Sequence, residues 1–187
     1  MTSLNWYMKT RGMPEDAMQC MYEDQEIFYQ AQVNINGVDQ IDRTVRSSEI
    51  KAAIKPEHYP DVCEFLLDTM MKWNPNLKRN DYMVGEFDYL RYKKGDHFAW
   101  HEDKIPGTLR QYSTSTIIRA SDDLTGGELE ILDVDTELSE KISLDVGETV
   151  FFSSYTPHRI LPVLSGTREV LVAWIWEKNP HPLSIKV

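Results

Sequence analysis

From Tyr82 to Trp176 the chain is written in short segments of alternating character cut by turn residues, and no other feature limits its fold so tightly. The segments are Met83–Tyr92, His97–Asp103, Gln111–Arg119, Glu128–Asp133, Lys141–Asp145, Thr149–Phe152, His158–Val163 and Arg168–Trp176, with turn signals at Lys94-Gly95, Gly126-Gly127, Val146-Gly147 and Ser165-Gly166. Successive side chains of a strand point to opposite faces, so alternation of this kind marks half-buried strands. Eight short strands in one run can hide their apolar faces by closing on themselves or by stacking two sheets. The expected fold is therefore mainly β with flanking helices (α+β), built on a jelly-roll core.

The residues before Tyr82 read differently. Pro14–Tyr22 predicts a short helix, Ile27–Ile35 a β-rich run closed by the turn Asn36-Gly37, and Pro56–Trp73 the clearest helix, with Tyr59, Val62, Phe65, Leu66 and Met70 at helical spacing. That stripe is the kind a helix lays against a sheet. No stretch is rich enough in Gly, Ser or Pro to act as a linker, and no repeat is evident. The expectation is one domain over residues 1–187, with 1–81 as a supporting region, 82–176 as the core and 177–187 as a tail.

A net charge of -10 and a pI near 4.9 repel phosphate backbones and anionic lipid surfaces, which argues against a nucleic-acid partner. Arg43, Arg46, Lys51 and Lys55 form a local basic exception that could act within about 8 Å. The two cysteines, Cys20 and Cys63, have neither disulfide nor metal spacing and read as packing residues. The start MTSLNWYMKT lacks a basic, apolar leader, and no apolar run approaches the ~20 residues of a membrane span. A cytoplasmic setting without a membrane partner is the expectation; the oligomeric state is not legible.

His101 and Asp103 stand two apart in a strand-like segment, which turns both to one face and toward one ion. Imidazole with carboxylate suits a divalent transition metal, and a second imidazole completes the two-His, one-carboxylate set that leaves positions open on iron. His158, after the apolar strand 149–153, is the natural candidate; His97, on the face of His101, is the competitor, while His58 and His181 are poorly placed. Arg168 opens a strand whose alternate residues Val170, Val172 and Trp174 are apolar. A cation on such a face needs an anion, either a structural carboxylate or a bidentate dicarboxylate ligand.

The ordered combination is specific. Tyr92-Lys-Lys-Gly-Asp-His-Phe-Ala-Trp-His101-Glu-Asp103, Gly126-Gly127-Glu-Leu129, Gly147 leading to Phe151-Phe152-Ser153, and His158-Arg-Ile-Leu-Pro-Val163 with Gly166-Thr-Arg168 resemble the prolyl-4-hydroxylase-like branch of the 2-oxoglutarate and Fe(II)-dependent dioxygenases, in particular its short bacterial and phage members. The resemblance covers about half of the chain. It implies a double-stranded β-helix (jelly roll, cupin-like), Fe(II) at His101, Asp103 and His158, and 2-oxoglutarate chelating the iron with its far carboxylate at Arg168. It also implies cosubstrate-binding or pocket roles for Tyr92, Leu129 and Trp174. Some relatives place a cosubstrate-bonding tyrosine where this chain has Ile117, so that contact is missing here. The implied reaction turns 2-oxoglutarate and O2 into succinate and CO2 while a substrate C–H bond is hydroxylated, with ascorbate as a candidate accessory reductant.

Substrate choice is expected from the residues before Tyr82 and from Lys104–Arg110, with Arg43, Arg46, Arg110 and Arg119 as candidate contacts for an anionic group. A residue of a protein or peptide, proline first, is the leading expectation; a free amino acid or other small molecule comes next. Base-repair relatives carry a second arginine six residues after the cosubstrate arginine, where this chain has Trp174. A non-catalytic metal-binding module and a cupin-like enzyme without 2-oxoglutarate are the readings from other classes.

Overall fold

The computed structural model describes residues 7–23, 27–35, 37–51, 54–105 and 107–178. Along the chain run β1 (Tyr7–Arg11), α1 (Glu15–Glu23), β2 (Phe28–Gln30), β3 (Val33–Ile35), β4 (Val38–Gln40), β5 (Glu49–Lys51), α2 (Pro60–Trp73), β6 (Tyr82–Lys93), β7 (Phe98–His101) and β8 (Arg110–Ala120). There follow β9 (Thr125–Gly126), β10 (Leu129–Asp133), β11 (Leu138–Ile142), β12 (Glu148–Ser153), β13 (His158–Ile160), β14 (Val163–Ser165) and β15 (Thr167–Glu177).

A seven-stranded antiparallel sheet, ordered β1-β12-β8-β15-β6-β5-β2, faces a four-stranded one, ordered β11-β10-β13-β7. The expected jelly-roll core with outer helices is what forms. Alternation along β15 shows how: Val170 joins Leu129, Ile131, Ile160 and Phe152 in a core between the sheets, whereas Leu171, Ala173 and Ile175 join Val62, Leu66 and Met70 of α2 in a second core behind the large sheet. Burying such a side chain is worth about 1.5–3 kcal/mol, so each face of β15 is held by its own layer. α2 opens on Pro60, which needs no N–H partner in the first turn, with Asp61 beside it and Lys72 in the last turn, both placed to suit the helix dipole.

Several sequence boundaries move. The helix expected from Pro56 begins at Pro60; Pro56–His58 is a separate 3-10 turn. The run Ile27–Ile35 divides into β2 and β3, with the turn at Gly37; Asn36 lies outside the described residues. Of the expected strand Lys141–Asp145 only Lys141 and Ile142 are strand, because β11 begins at Leu138, and Leu138–Lys141 are exposed and offer no apolar alternation to read. The expected strand His158–Val163 breaks between β13 and β14 at Pro162, which cannot donate to a ladder. β1, which pairs with β12 from Tyr7↔Phe152 to Arg11↔Glu148, is an element the pattern did not disclose. The tail, including His181, lies outside the described residues.

Candidate metal centre

His101 ends β7 and His158 begins β13, and the two residues are direct partners across the antiparallel pair. Asp103 departs from the sequence expectation: β7 stops at His101, so the carboxylate is carried by the following loop rather than by a strand face. Backbone contacts hold that loop in place. The Lys104 N–H donates to the Ser154 carbonyl at 2.9 Å, and Arg110 Nη1 donates to the Asp103 carbonyl at 3.0 Å.

The three side chains converge. One ligand atom from each of His101, Asp103 and His158 lies within 4.8 Å of the others. His101 Nε2 is 3.7 Å from one Asp103 oxygen and His158 Nε2 is 3.6 Å from the other, too long for hydrogen bonds and open to an ion between them. Each Nδ1 meets a backbone carbonyl two residues upstream, His101 with Ala99 at 2.8 Å and His158 with Thr156 at 2.9 Å. Those carbonyls call for Nδ1–H, which leaves the Nε2 lone pairs facing the gap. Burial, then His158, lowers His101 to about 3, so its imidazole is neutral as a metal ligand must be. Burial acts to raise the Asp103 carboxyl, but His158 and His101 outweigh it, helped by Ser113 and Trp174, and it lies below its ordinary value. Phe98 stacks on His101 at 3.5 Å and Phe152 sets its edge against His158 at 4.7 Å, giving the cluster apolar walls.

Arg168 is 3 % exposed. It forms no ion pair among the described residues, and its Nε is buried without a hydrogen-bond partner. Burial pushes its pKa down, against the pull of Tyr92 and Glu128. Its guanidinium sits 5.5 Å from the centre of the Tyr92 ring, and Gly127 makes room for it: a Cβ there would lie 3.1 Å from Arg168 Cδ and 2.9 Å from Val163. The structural-carboxylate alternative for Arg168 thus finds no partner among the described residues.

The cluster opens into a cleft of about 1180 Å³ that is also lined by Tyr92, Leu129, Val170 and Trp174. Arg168 lines a second, smaller cavity of about 440 Å³, together with Ile117, Gly127 and Leu129. Leu129 borders both, and Tyr92, which lines the cleft, has its ring beside the Arg168 guanidinium. The Trp174 indole N–H has no partner at normal geometry, although it faces Asp103 closely enough to favour that carboxylate's charge.

Other expectations separate. His97 is not in the cluster; its ring nitrogens approach Ser47, Gly95 and Thr44. Of the four arginines considered for an anionic group, Arg46 and Arg110 reach the cleft, whereas Arg43 is exposed and Arg119 stacks over Tyr22 at 4.2 Å. The basic patch does not form, because Lys51 is 2 % exposed and donates to the Met21 carbonyl. Asp88 and Glu86, absent from the sequence-derived site, line the cleft from β6. The signal was present: they share the alternate register of Leu90 and Tyr92.

The model of the 2OG-Fe(II) oxygenase superfamily matches residues 87–176. A PKHD-type hydroxylase of Acaryochloris marina is 33% identical over 92 residues, covering 46% of this chain and 40% of that protein, so the chain matches well under half the length of this relative. A prolyl-4-hydroxylase of Pseudomonas putida shares the fold with a TM-score of 0.65 at 20% identity, over 93% of this chain and 94% of the other. A Trichoplax adhaerens prolyl hydroxylase, solved with a peptide fragment of a hypoxia inducible factor, gives a TM-score of 0.68 at 17% identity, over 97% and 88%. The His101, Asp103 and His158 cluster lies within the segment that matches the 2OG-Fe(II) oxygenase superfamily, and the chain shares the fold of the two prolyl hydroxylases.

Proposed function

We propose that the protein is a dioxygenase that couples 2-oxoglutarate and O2 to hydroxylation of a substrate C–H bond, releasing succinate and CO2. The observation that carries this is the pairing of a three-donor cluster in an open cleft with a fully buried arginine that has no ion-pair partner among the described residues. His101, Asp103 and His158 would hold Fe(II), and the donor set fits: two imidazoles and one carboxylate, spaced for an ion and oriented by backbone carbonyls. Bound Fe(II) supplies O2 activation and leaves coordination positions for the cosubstrate.

The chain's own residues do the rest. Arg168 takes the far carboxylate of 2-oxoglutarate, which compensates a charge the fold otherwise buries alone. Leu129, which borders both cavities, and Tyr92, whose ring lies by the Arg168 guanidinium, would line the space the cosubstrate spans between that anchor and the metal, and Trp174 lines the cleft near Asp103. Phe98 and Phe152 keep water from the imidazoles.

For the substrate we propose a residue of a protein or peptide, with proline first. The relatives are hydroxylases of the PKHD and prolyl types, one fold neighbour was solved with a peptide, and the cleft is wide enough for a chain segment. A free amino acid or other small molecule is the second reading. The test is succinate formation by purified protein with Fe(II), ascorbate and 2-oxoglutarate, with and without proline-containing peptides, in air and under nitrogen. Oxygen-dependent succinate raised by a peptide supports the reading; its absence in every arm despite bound iron favours a non-catalytic metal module.

A further inference from the structure

Asp88 stands on the floor of the cleft, in β6, opposite Val172 of β15. It forms no hydrogen bond or ion pair among the described residues. The cations around it are engaged elsewhere. Arg46 donates to Ser48 Oγ at 3.1 Å and to the Gln32 carbonyl at 3.4 Å, and packs over Phe98. Arg110 donates to Glu86 at 2.7 Å and lies over Trp174 at 4.1 Å, while Lys104 lies over Tyr155 at 4.3 Å. Arg110 is paired with Glu86, Arg46 bonds only to neutral acceptors, and the half-buried Asp88 carboxylate has no hydrogen bond or ion pair among the described residues.

We propose that Asp88 is a specificity-determining residue that receives a protonated amine or guanidinium of the substrate. A carboxylate withdrawn from water without a donor is destabilised, and a charge-assisted hydrogen bond from a ligand recovers that energy. The charge at the metal centre does not oppose this. On the reading proposed above, on which this inference rests, Fe(II) with the Asp103 carboxylate, a dianionic cosubstrate and Arg168 on its far carboxylate carries no net charge. Arg110 is neutralised by Glu86, and Arg46 pulls on Asp88 without bonding to it and is outweighed by burial, so a cation entering beside Asp88 meets that carboxylate with no net positive charge at the metal centre to repel it. In a prolyl peptide the cation would come from a basic residue beside the proline; in a free amino acid it would be the compound's own ammonium.

The experiment measures binding by calorimetry under nitrogen to the full chain loaded with Fe(II) and 2-oxoglutarate, using matched probes. One pair is a short prolyl peptide with arginine next to the proline and the same peptide with citrulline; the other is free lysine and norleucine. Tryptophan fluorescence gives an independent readout, because Trp174 lines the same cleft. The wild type is expected to prefer the cationic member of one pair by about 10- to 100-fold, and in Asp88→Asn that ratio falls toward one. The pair that shows the preference identifies whether the cation sits on a peptide or on a free amino acid. Equal binding within both pairs, or a preference that survives in Asp88→Asn, overturns the assignment. Asp88→Glu, which keeps the charge, should restore part of the ratio, and loss of it in both variants overturns the charge argument. Cation-selective binding without succinate formation would leave Asp88 assigned and count against the dioxygenase reading instead.

Discussion

A buried guanidinium without an ion-pair partner raises the free energy of the folded chain, and among the described residues Arg168 is such a group. Replacing it with methionine, similar in length and apolar, should leave the cosubstrate-free protein as stable as the wild type or more so by about 1–3 kcal/mol. The same change should abolish the stabilisation that 2-oxoglutarate gives, about 2.7 kcal/mol at a hundredfold excess over Kd. Thermal melts with and without 2-oxoglutarate read both; a destabilised variant that still melts higher with 2-oxoglutarate would contradict the role. At the metal cluster, Asp103→Ala should take bound iron from about one per chain to near none and abolish turnover, with circular dichroism unchanged, because the carboxylate sits on a loop outside the apolar cores. The sequence disclosed these residues because each is the wrong chemical type for its surroundings: a cation on an apolar strand face, histidines flanking apolar strands. Asp88 escaped notice because one more acid in a chain with 30 Asp and Glu carries little information until its face is known.

At the scale of elements, two contacts fix the long strands. In β6, Gly85 lies under the Trp176 ring of β15, where a Cβ would come within 2.4 Å of the indole. Gly85→Ala should cost about 2 kcal/mol as the ring is displaced, and should also loosen Arg110, whose guanidinium lies 5.7 Å from that ring; chemical denaturation would show it. On β10, Glu130 accepts from Ser139 of β11 at 2.7 Å and from Arg159 of β13 at 2.7 Å, and these bonds hold its carboxyl below the ordinary value. A depressed pKa means that the stabilising contribution is present above the unfolded value near 4.5 and is lost as pH falls through the folded one. Glu130→Gln should therefore cost about 1 kcal/mol at pH 7, and the gap to the wild type should close toward pH 3. The strands of the second half were legible because period-two alternation is strong where one face is buried. β11 and β1 were not, since exposure on β11 removes the pattern and β1 precedes any turn signal that would frame it.

For the molecule as a whole, two sheets with helices behind the larger one leave one end of the inter-sheet space open, and the metal cluster lies there with its cleft. The architecture could be inferred from strand count and spacing; the pairing of Arg46 and Arg110 with one cleft could not, because residues 64 apart in sequence meet only through the sheet order. Among the described residues no helix is long and apolar enough to cross a membrane. The most direct test of the whole account is an anaerobic titration of 2-oxoglutarate into the purified chain, with and without one equivalent of Fe(II), for the wild type and for Arg168→Met. Tight binding is expected to need both the iron and Arg168. Binding that is indifferent to either would contradict it.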